Sequence, residues 1–187
     1  MSPKLITAPT EEPIALDEAK LHLRADSADD DTLIEALIVA AREGAEHITG
    51  RALMPQTWEM ALDGFQDVIC LPKSPLMSIV SIKYADPSGD VQTLADGAWW
   101  LDSYSEPAKL SPAYGASWPA TRCQSNAVLI RFQAGYANAE SVPQAIKQWM
   151  LLQIGAMYEN RESVGQASLA QLPFADRLLD PYRVWSL

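Results

Sequence analysis

The stretch DDDTLIEALIVAAREGAEHITG, residues 29–50, decides the fold. Leu33, Leu37, Ala41, Ala45 and Ile48 recur at helical spacing, joined by Ile34 and Ile38, so a helix of about four turns presents one apolar stripe to a core. Asp29, Asp30 and Asp31 supply carboxylates for the N-cap and first turn, where the helix dipole favours negative charge. Thr32 with Glu35 offers an alternative capping box. Gly50 stands where a left-handed C-terminal residue is expected. Upstream, Leu16, Ala19 and Leu23 fall at i, i+3 and i+7, with Asp17 and Glu18 ahead of Lys20 and Arg24, which predicts a short amphipathic helix. A tight acidic link joins the two.

Downstream the composition changes. Pro55, Pro72, Pro75, Pro87, Pro107, Pro112 and Pro119 are hostile to long helices. Between them, residues 57–62, 68–71, 78–84, 91–94, 99–101 and 127–132 are short runs rich in β-branched and aromatic side chains, which predicts strands. The turn sequence at 86–89 makes a hairpin of 79–84 with 91–94. Four of the six tryptophans lie within 56–142, in keeping with a small aromatic-packed sheet.

Helical spacing returns at Ser141. Ser141 with Gln144 resembles a capping box and Pro143 falls in the first turn, where its missing N–H costs little. Ile146, Trp149, Met150, Ile154 and Met157 continue for about four turns, with Ala145, Leu152 and Ala156 on the other side, so this helix is expected between partners. The terminal run LPFADRLLDPYRVWSL, residues 172–187, holds more apolar side chains than a free terminus needs and should dock on something. The expected fold is α+β: a small bundle of helices, two N-terminal, one long and one short C-terminal, with an inserted β-rich hairpin or sheet region. Its parts are 1–54, 55–141 and 142–187, in one structural domain overall.

A chain of 187 residues suits one core. Its formal charge of −10 excludes a dominant basic surface for nucleic acid. The acidity leans to the N-terminus: residues 1–55 hold 11 acidic and 5 basic side chains, residues 56–142 hold 9 and 5, and residues 143–187 hold 4 and 4. No run reaches the 18 or so apolar residues of a membrane span. The opening MSPKLITAPTEEP lacks the pattern of a secretory signal, so folding in a cytoplasm is expected. Cys70 and Cys123, neither in a CxxC context, give no disulfide framework or zinc signature and read as reduced packing residues.

Catalytic chemistry finds little support. His22 and His47 sit on amphipathic helices beside charged residues, which suits solvated or half-buried positions. Residues 115–119, GASWP, lack the final glycine of a nucleophile elbow and read as a loop. Asp29–Asp31 lack the alternating oxygens, central glycine and closing Glu of a calcium loop. Asp63 and Asp67 form the best carboxylate pair for acid–base work, without a cleft in view. The nine glycines are scattered, with no phosphate loop. No metal or cofactor is expected, and an interaction or structural role outranks an enzyme.

The run LDEAKLHLR at 16–24, the DDD at 29–31 with the apolar helix ending TGRAL at 49–53, and QTW at 56–58 resemble the N-terminal signature of tailed-phage head–tail connector (adaptor) proteins of the gp6-like and phiE125 gp8-like type. LPKSPLMSIVSIKYAD at 71–86 resembles that family's strand pair, as do WP at 118–119 and FQAGY at 132–136. VPQAI at 142–146 and YENRE at 158–162 resemble its third helix. Each match is short, and their order and spacing carry the likeness. One departure is Ala15, where family members often have Ser or Thr; a good N-cap is worth about 0.5–2 kcal/mol, and Asp17 and Glu18 partly compensate.

The resemblance implies a non-enzymatic virion protein at the neck, assembled in the host cytoplasm as a homo-oligomeric ring of about a dozen subunits, each offering two unlike complementary patches. The implied partners are other copies, the portal, and a stopper or tail-terminator protein, with genomic DNA passing through the channel without sequence-specific binding and no membrane. Trp149, Arg161, Phe174, Leu178, Leu179, Tyr182 and Trp185 are then candidates for the partner or oligomer interface, or else complete the monomer core. Asp26, Asp29, Asp30 and Asp31 are candidates for an acidic channel lining that repels phosphate, or else cap their helix. A monomeric tail-completion or binding module, and a small carboxylate-dependent hydrolase, are the alternatives.

Overall fold

The structure is a computed structural model and describes residues 3–160 and 175–185. Those residues form an α+β fold of three α-helices and two antiparallel sheets, with no closed barrel among them. The first helix, α1 (Leu16–Leu23), starts after an extended Ala15 that makes no side-chain cap, and Asp17 and Glu18 occupy its first turn. It stops at Arg24, in left-handed conformation with φ 56°.

The long helix α2 (Asp31–Thr49) ends at Gly50 with φ 72°, as expected for a glycine C-terminal residue. Its fully buried line is Ile34, Ile38, Ala41, Ala45 and Thr49, with Arg42 and Glu46 buried beside it. Leu33, Leu37 and Ile48 are only half-buried flanks, so the stripe is turned by about one residue from the one expected. A buried charged pair accounts for this, since hydrophobicity alone does not mark Arg42 and Glu46 as inward.

The third helix α3 (Gln144–Glu159) packs against both others. Ile146, Trp149, Met150, Leu151 and Ile154 are buried, while Leu152, Met157 and Tyr158 pack half-buried against the same core. A Cβ on Gly44 would stand 3.4 Å from the Trp149 ring, so the small residue lets that indole lie against α2. The expected Ser141–Gln144 capping box does not form. Pro143 is the N-cap, and Ser141 instead serves a preceding 3-10 turn, where its N–H donates to Asn138 Oδ1 at 2.9 Å. Two further 3-10 turns, Asp176–Leu178 and Asp180–Tyr182, stand where the short C-terminal helix was expected.

The larger sheet has strands β1 (Lys4–Thr7), β2 (Gln56–Leu62), β4 (Leu76–Ala85), β5 (Val91–Thr93) and β8 (Val128–Ala134), in the order β1-β2-β8-β4-β5. The smaller has β3 (Ile69–Leu71), β6 (Trp99–Asp102) and β7 (Ala108–Pro112), in the order β3-β7-β6. Met60 faces Ile130 and Leu62 faces Val128 across β2 and β8, while Ile82 faces Ile130 across β4 and β8. This alternation turns one face of the larger sheet inward, where Ile69 and Leu71 from β3 and Leu110 from β7 complete a second core. The β4–β5 hairpin forms as expected, its turn held by Asp86 Oδ1, which accepts from the N–H groups of Ser88, Gly89 and Asp90.

Strands β1 and β7 were not expected. The four residues of β1 lie between prolines and are all exposed, while β7 is bounded by Pro107 and Pro112 and has no β-branched residue. The two cysteines are also corrected: both thiols are free and exposed, so neither is a packing residue. Cys70 points outward because it alternates between buried Ile69 and Leu71.

Candidate functional site

Three polar or docking features hold the fold together, and the sequence-derived residues distribute among them. The first is the end of the bundle where α1 turns into α2. Asp31 Oδ1 accepts from Lys20 Nζ of α1 at 2.5 Å, and Asp30 Oδ2 accepts from the Tyr158 hydroxyl of α3 at 2.5 Å. No side chain caps α2, so neither the aspartate cap nor the Thr32–Glu35 box forms. Instead two of the acidic residues tie the three helices together sideways. Asp26 and Asp29 are exposed on the turn.

The second feature is a buried polar knot. Glu46, 6% exposed, accepts from the Leu53 N–H at 2.8 Å and from Gln56 Nε2 at 2.5 Å, both through Oε1, and from Arg42 at 3.1 Å through Oε2. Arg42 in turn donates its Nε–H to Glu12 at 2.8 Å. Burial pushes the Glu12 carboxyl up, against the attraction of Arg42. The knot satisfies the backbone where α2 gives way to β2, which apolar packing cannot do.

The third is the docking of the terminal segment. Leu179 is fully buried and Ala175 nearly so, in the helical core, while Leu178 and Tyr182 pack half-buried against it. Arg51, buried at the end of α2, donates its Nε–H to the Tyr182 carbonyl at 2.6 Å and both terminal nitrogens to the Glu106 carboxylate. The Val184 N–H donates to the Thr49 carbonyl at 2.8 Å. Hydrogen bonds from Arg51 hold the Glu106 carboxyl below its usual range, against the smaller effect of burial. One guanidinium thus links α2, the β6–β7 loop and the chain terminus.

Of the interface candidates, Trp149 and Leu179 lie inside the chain's own core and Trp185 is 72% exposed; Arg161 and Phe174 fall outside the described residues. Arg51, Glu46 and Glu106 were not singled out from sequence. Their only sequence signal is charge on an apolar helix stripe or beside a proline, which solvated residues share.

An open cleft of about 910 Å³ lies between β2, the approach to β3 and the terminal segment. Trp58, Met60, Leu62, Ile69 and Lys73 are among its walls, and none of its described lining residues is Asp, Glu or His. Lys73 stands over the Trp58 ring, its ammonium 4.9 Å from the ring centre, and burial pushes its pKa down. Asp63 and Asp67 lie outside the cleft and are exposed, and Asp63 accepts from the Asn126 N–H at 2.9 Å. His22 and His47 are exposed, and GASWP is loop. The described residues contain no group of three or more metal-ligating side chains, and no helix among them is long and apolar enough to cross a membrane.

Residues 13–87, the stretch from α1 through β4, match the family described as phage gp6-like head-tail connector protein. Comparison with curated proteins gives no match. Among solved structures, a chain from the neck of an empty gene transfer agent (GTA) particle, computed with C6 symmetry, is 24% identical with a TM-score of 0.82. The alignment covers 100% of this chain and 97% of that one. A chain from the virion of a native GTA particle is 25% identical with a TM-score of 0.82, and one from a native GTA neck computed with C12 symmetry is 24% identical with a TM-score of 0.75. Both alignments again cover 100% of this chain and 97% of the other.

Proposed function

We propose that this chain, whose residues 13–87 match the gp6-like head-tail connector family, is a structural subunit of the neck of a tailed phage or phage-like particle. It assembles as a ring between the portal and the downstream stopper or tail-terminator protein, and the ring forms part of the DNA channel. The observation that carries the reading is the likeness over the whole chain to chains of GTA necks and virions, added to the family match at the N-terminal half.

The physical features agree with that role. The ring has about a dozen copies, and each subunit then needs two unlike patches, because a head-to-tail contact closes at a single rotation angle. The acidic balance of the chain suits a channel from which DNA slides away rather than binds. Asp26 and Asp29, exposed on the α1–α2 turn, are the carboxylates we assign to the channel, with Asp30 and Asp31 holding the turn in place. Trp185, exposed at the end of the docked segment, is the anchor we assign to the portal or a neighbouring subunit, with half-buried Leu178 and Tyr182 beside it and buried Leu179 and Trp149 holding the segment to the helical core; Arg161 and Phe174 are further candidates for that contact. Parts 1–54, 55–141 and 142–187 act as one structural domain in that assembly.

The test is negative-stain imaging and mass determination of the chain mixed with its portal, beside the chain alone. A ring stacked on the portal is expected, and removal of residues 173–187 should abolish attachment. Absence of association at every salt concentration and stoichiometry would overturn the reading.

A further inference from the structure

We infer that the larger sheet carries the contact between neighbouring copies: the outer edge of β1 in one copy pairs antiparallel with the uncovered half of β4 in the next. The inference rests on the ring reading above and names the surfaces that close the ring.

Both edges are open. All four residues of β1 are exposed, including Leu5 at 41% and Ile6 at 38%, and among the described residues no strand lies beyond it. At the other end β5 pairs only with Lys83–Ala85, and the Leu94 N–H reaches the Ile82 carbonyl at 2.8 Å. Among the described residues, Leu76 to Ser81 therefore have β8 on one side and no strand on the other. Register shifts between Leu76 and Ser78 and between Ile79 and Ser81 leave Met77 and Val80 as extra residues, 43% and 52% exposed. Beside this edge runs an open notch of about 300 Å³, walled by Ile79–Ile82, Leu94, Asp96 and Trp99. Each edge has some of the usual guards against pairing, Lys4 and the shortness of β1 and the two bulges of β4, yet each also exposes apolar side chains, Leu5 and Ile6 on one and Met77 and Val80 on the other.

The strand count fixes the polarity. From β1 through β2 and β8 to β4 the sheet is antiparallel at every step, so β1 and β4 run in opposite directions. A second copy related by rotation about an axis parallel to the strands keeps its strand directions and so presents its β1 antiparallel to β4. That is the arrangement every other pair in this sheet already has. The two edges are unlike surfaces at opposite ends of one sheet, as a closed head-to-tail ring requires. They also differ in charge: Lys4 lies on β1 and Asp96 in the notch. The uncovered run 76–81 is longer than the four residues of β1, so the strand fits alongside β4 and in line with β5.

The experiment uses the full chain, alone at high concentration and mixed with the portal, sized by native mass spectrometry. The I6K and V80K variants place a charge on each edge, and I6C/V80C in a C70S/C123S background reports contact through a disulfide between protomers. Expected are rings in the parent chain, self-association at least about tenfold weaker in I6K and V80K, and a disulfide-linked ladder in the double-cysteine protein only when assembled. Rings that form without the ladder, and that tolerate both lysines, would overturn the edge pairing and leave the ring reading standing. If the parent chain stays monomeric in both settings, and residues 4–7 and 76–81 exchange amide hydrogens equally fast at low and high concentration, both the pairing and the ring reading fall.

Discussion

Replacing Glu46 by alanine should unfold the junction between the helices and the sheet more severely than any neighbouring change on α2. The carboxylate is 6% exposed and has three donors around it: the Leu53 N–H at 2.8 Å, the Gln56 amide at 2.5 Å and Arg42 at 3.1 Å. Hydrogen bonds to a charged group contribute about 1.5–3 kcal/mol each, but they share one acceptor and do not add. Removing one partner of a buried ion pair costs about 3–5 kcal/mol, because the other charge stays desolvated, and this sets the expected loss for Glu46→Ala. For a protein of this size about 2–4 °C accompanies each kcal/mol, so the midpoint of melting should fall by about 6–20 °C.

The control is on the same helix, three residues away. Glu43 has a side chain 68% exposed and approaches Arg42 only at 3.8 Å, so Glu43→Ala should stay within about 0.5 kcal/mol of the parent. Glu46→Gln keeps an oxygen for the Leu53 N–H and loses the charge facing Arg42, so its loss should fall between the two. Urea unfolding followed by tryptophan fluorescence measures all three. A Glu46→Ala loss below about 1 kcal/mol, or one equal to that of Glu43→Ala, would refute the reasoning, because a buried carboxylate with three donors cannot be removed at so small a cost.

The docking of the terminal segment is tested by Leu179→Ala, which empties a fully buried site and should cost about 2–5 kcal/mol in urea unfolding, while Trp185→Ala at 72% exposure should change stability by less than about 0.5 kcal/mol. Equal effects of the two would mean that the segment does not lie on its own body in solution. Gly135, with φ +135°, leaves no room for a side chain, since a Cβ there would stand 2.1 Å from the Met54 carbonyl oxygen; Gly135→Ala should therefore lower the thermal midpoint steeply by circular dichroism, and a shift of less than about 2 °C would show that the backbone gives way. Glu106 has a depressed carboxyl pKa, so its contribution is present above the unfolded value of about 4.3 and is lost as pH falls through the lower folded value. The stability gap between the parent and Glu106→Gln should hold at neutral pH and close on acidification. Glu12, pushed up by burial, has the opposite sign, with a contribution present below the unfolded value and lost as pH rises through the folded one, so a gap that widened in acid would contradict the Glu106 assignment.

Much of the architecture was legible along the chain. Helical spacing marked α1, α2 and α3, and the turn residues 86–89 marked the β4–β5 hairpin, because these elements are specified by neighbours in sequence. Gly50 was readable as the end of α2, since a left-handed residue there strongly favours glycine. Strands β1 and β7 were not readable: one is four exposed residues and the other is bounded by prolines, and each exists through its ladder with a distant strand.

Only the tertiary structure decided which charges are buried. Along the chain, Arg42, Glu46 and Arg51 resemble solvated helix residues, and Asp30 and Asp31 resemble caps. Their partners lie far away in sequence: Gln56 is 10 residues from Glu46, Glu106 is 55 from Arg51, and Tyr158 is 128 from Asp30. Periodicity records which face of an element is apolar, a local property. The partner that makes a buried charge tolerable is supplied by packing, which brings distant segments together and leaves no local trace.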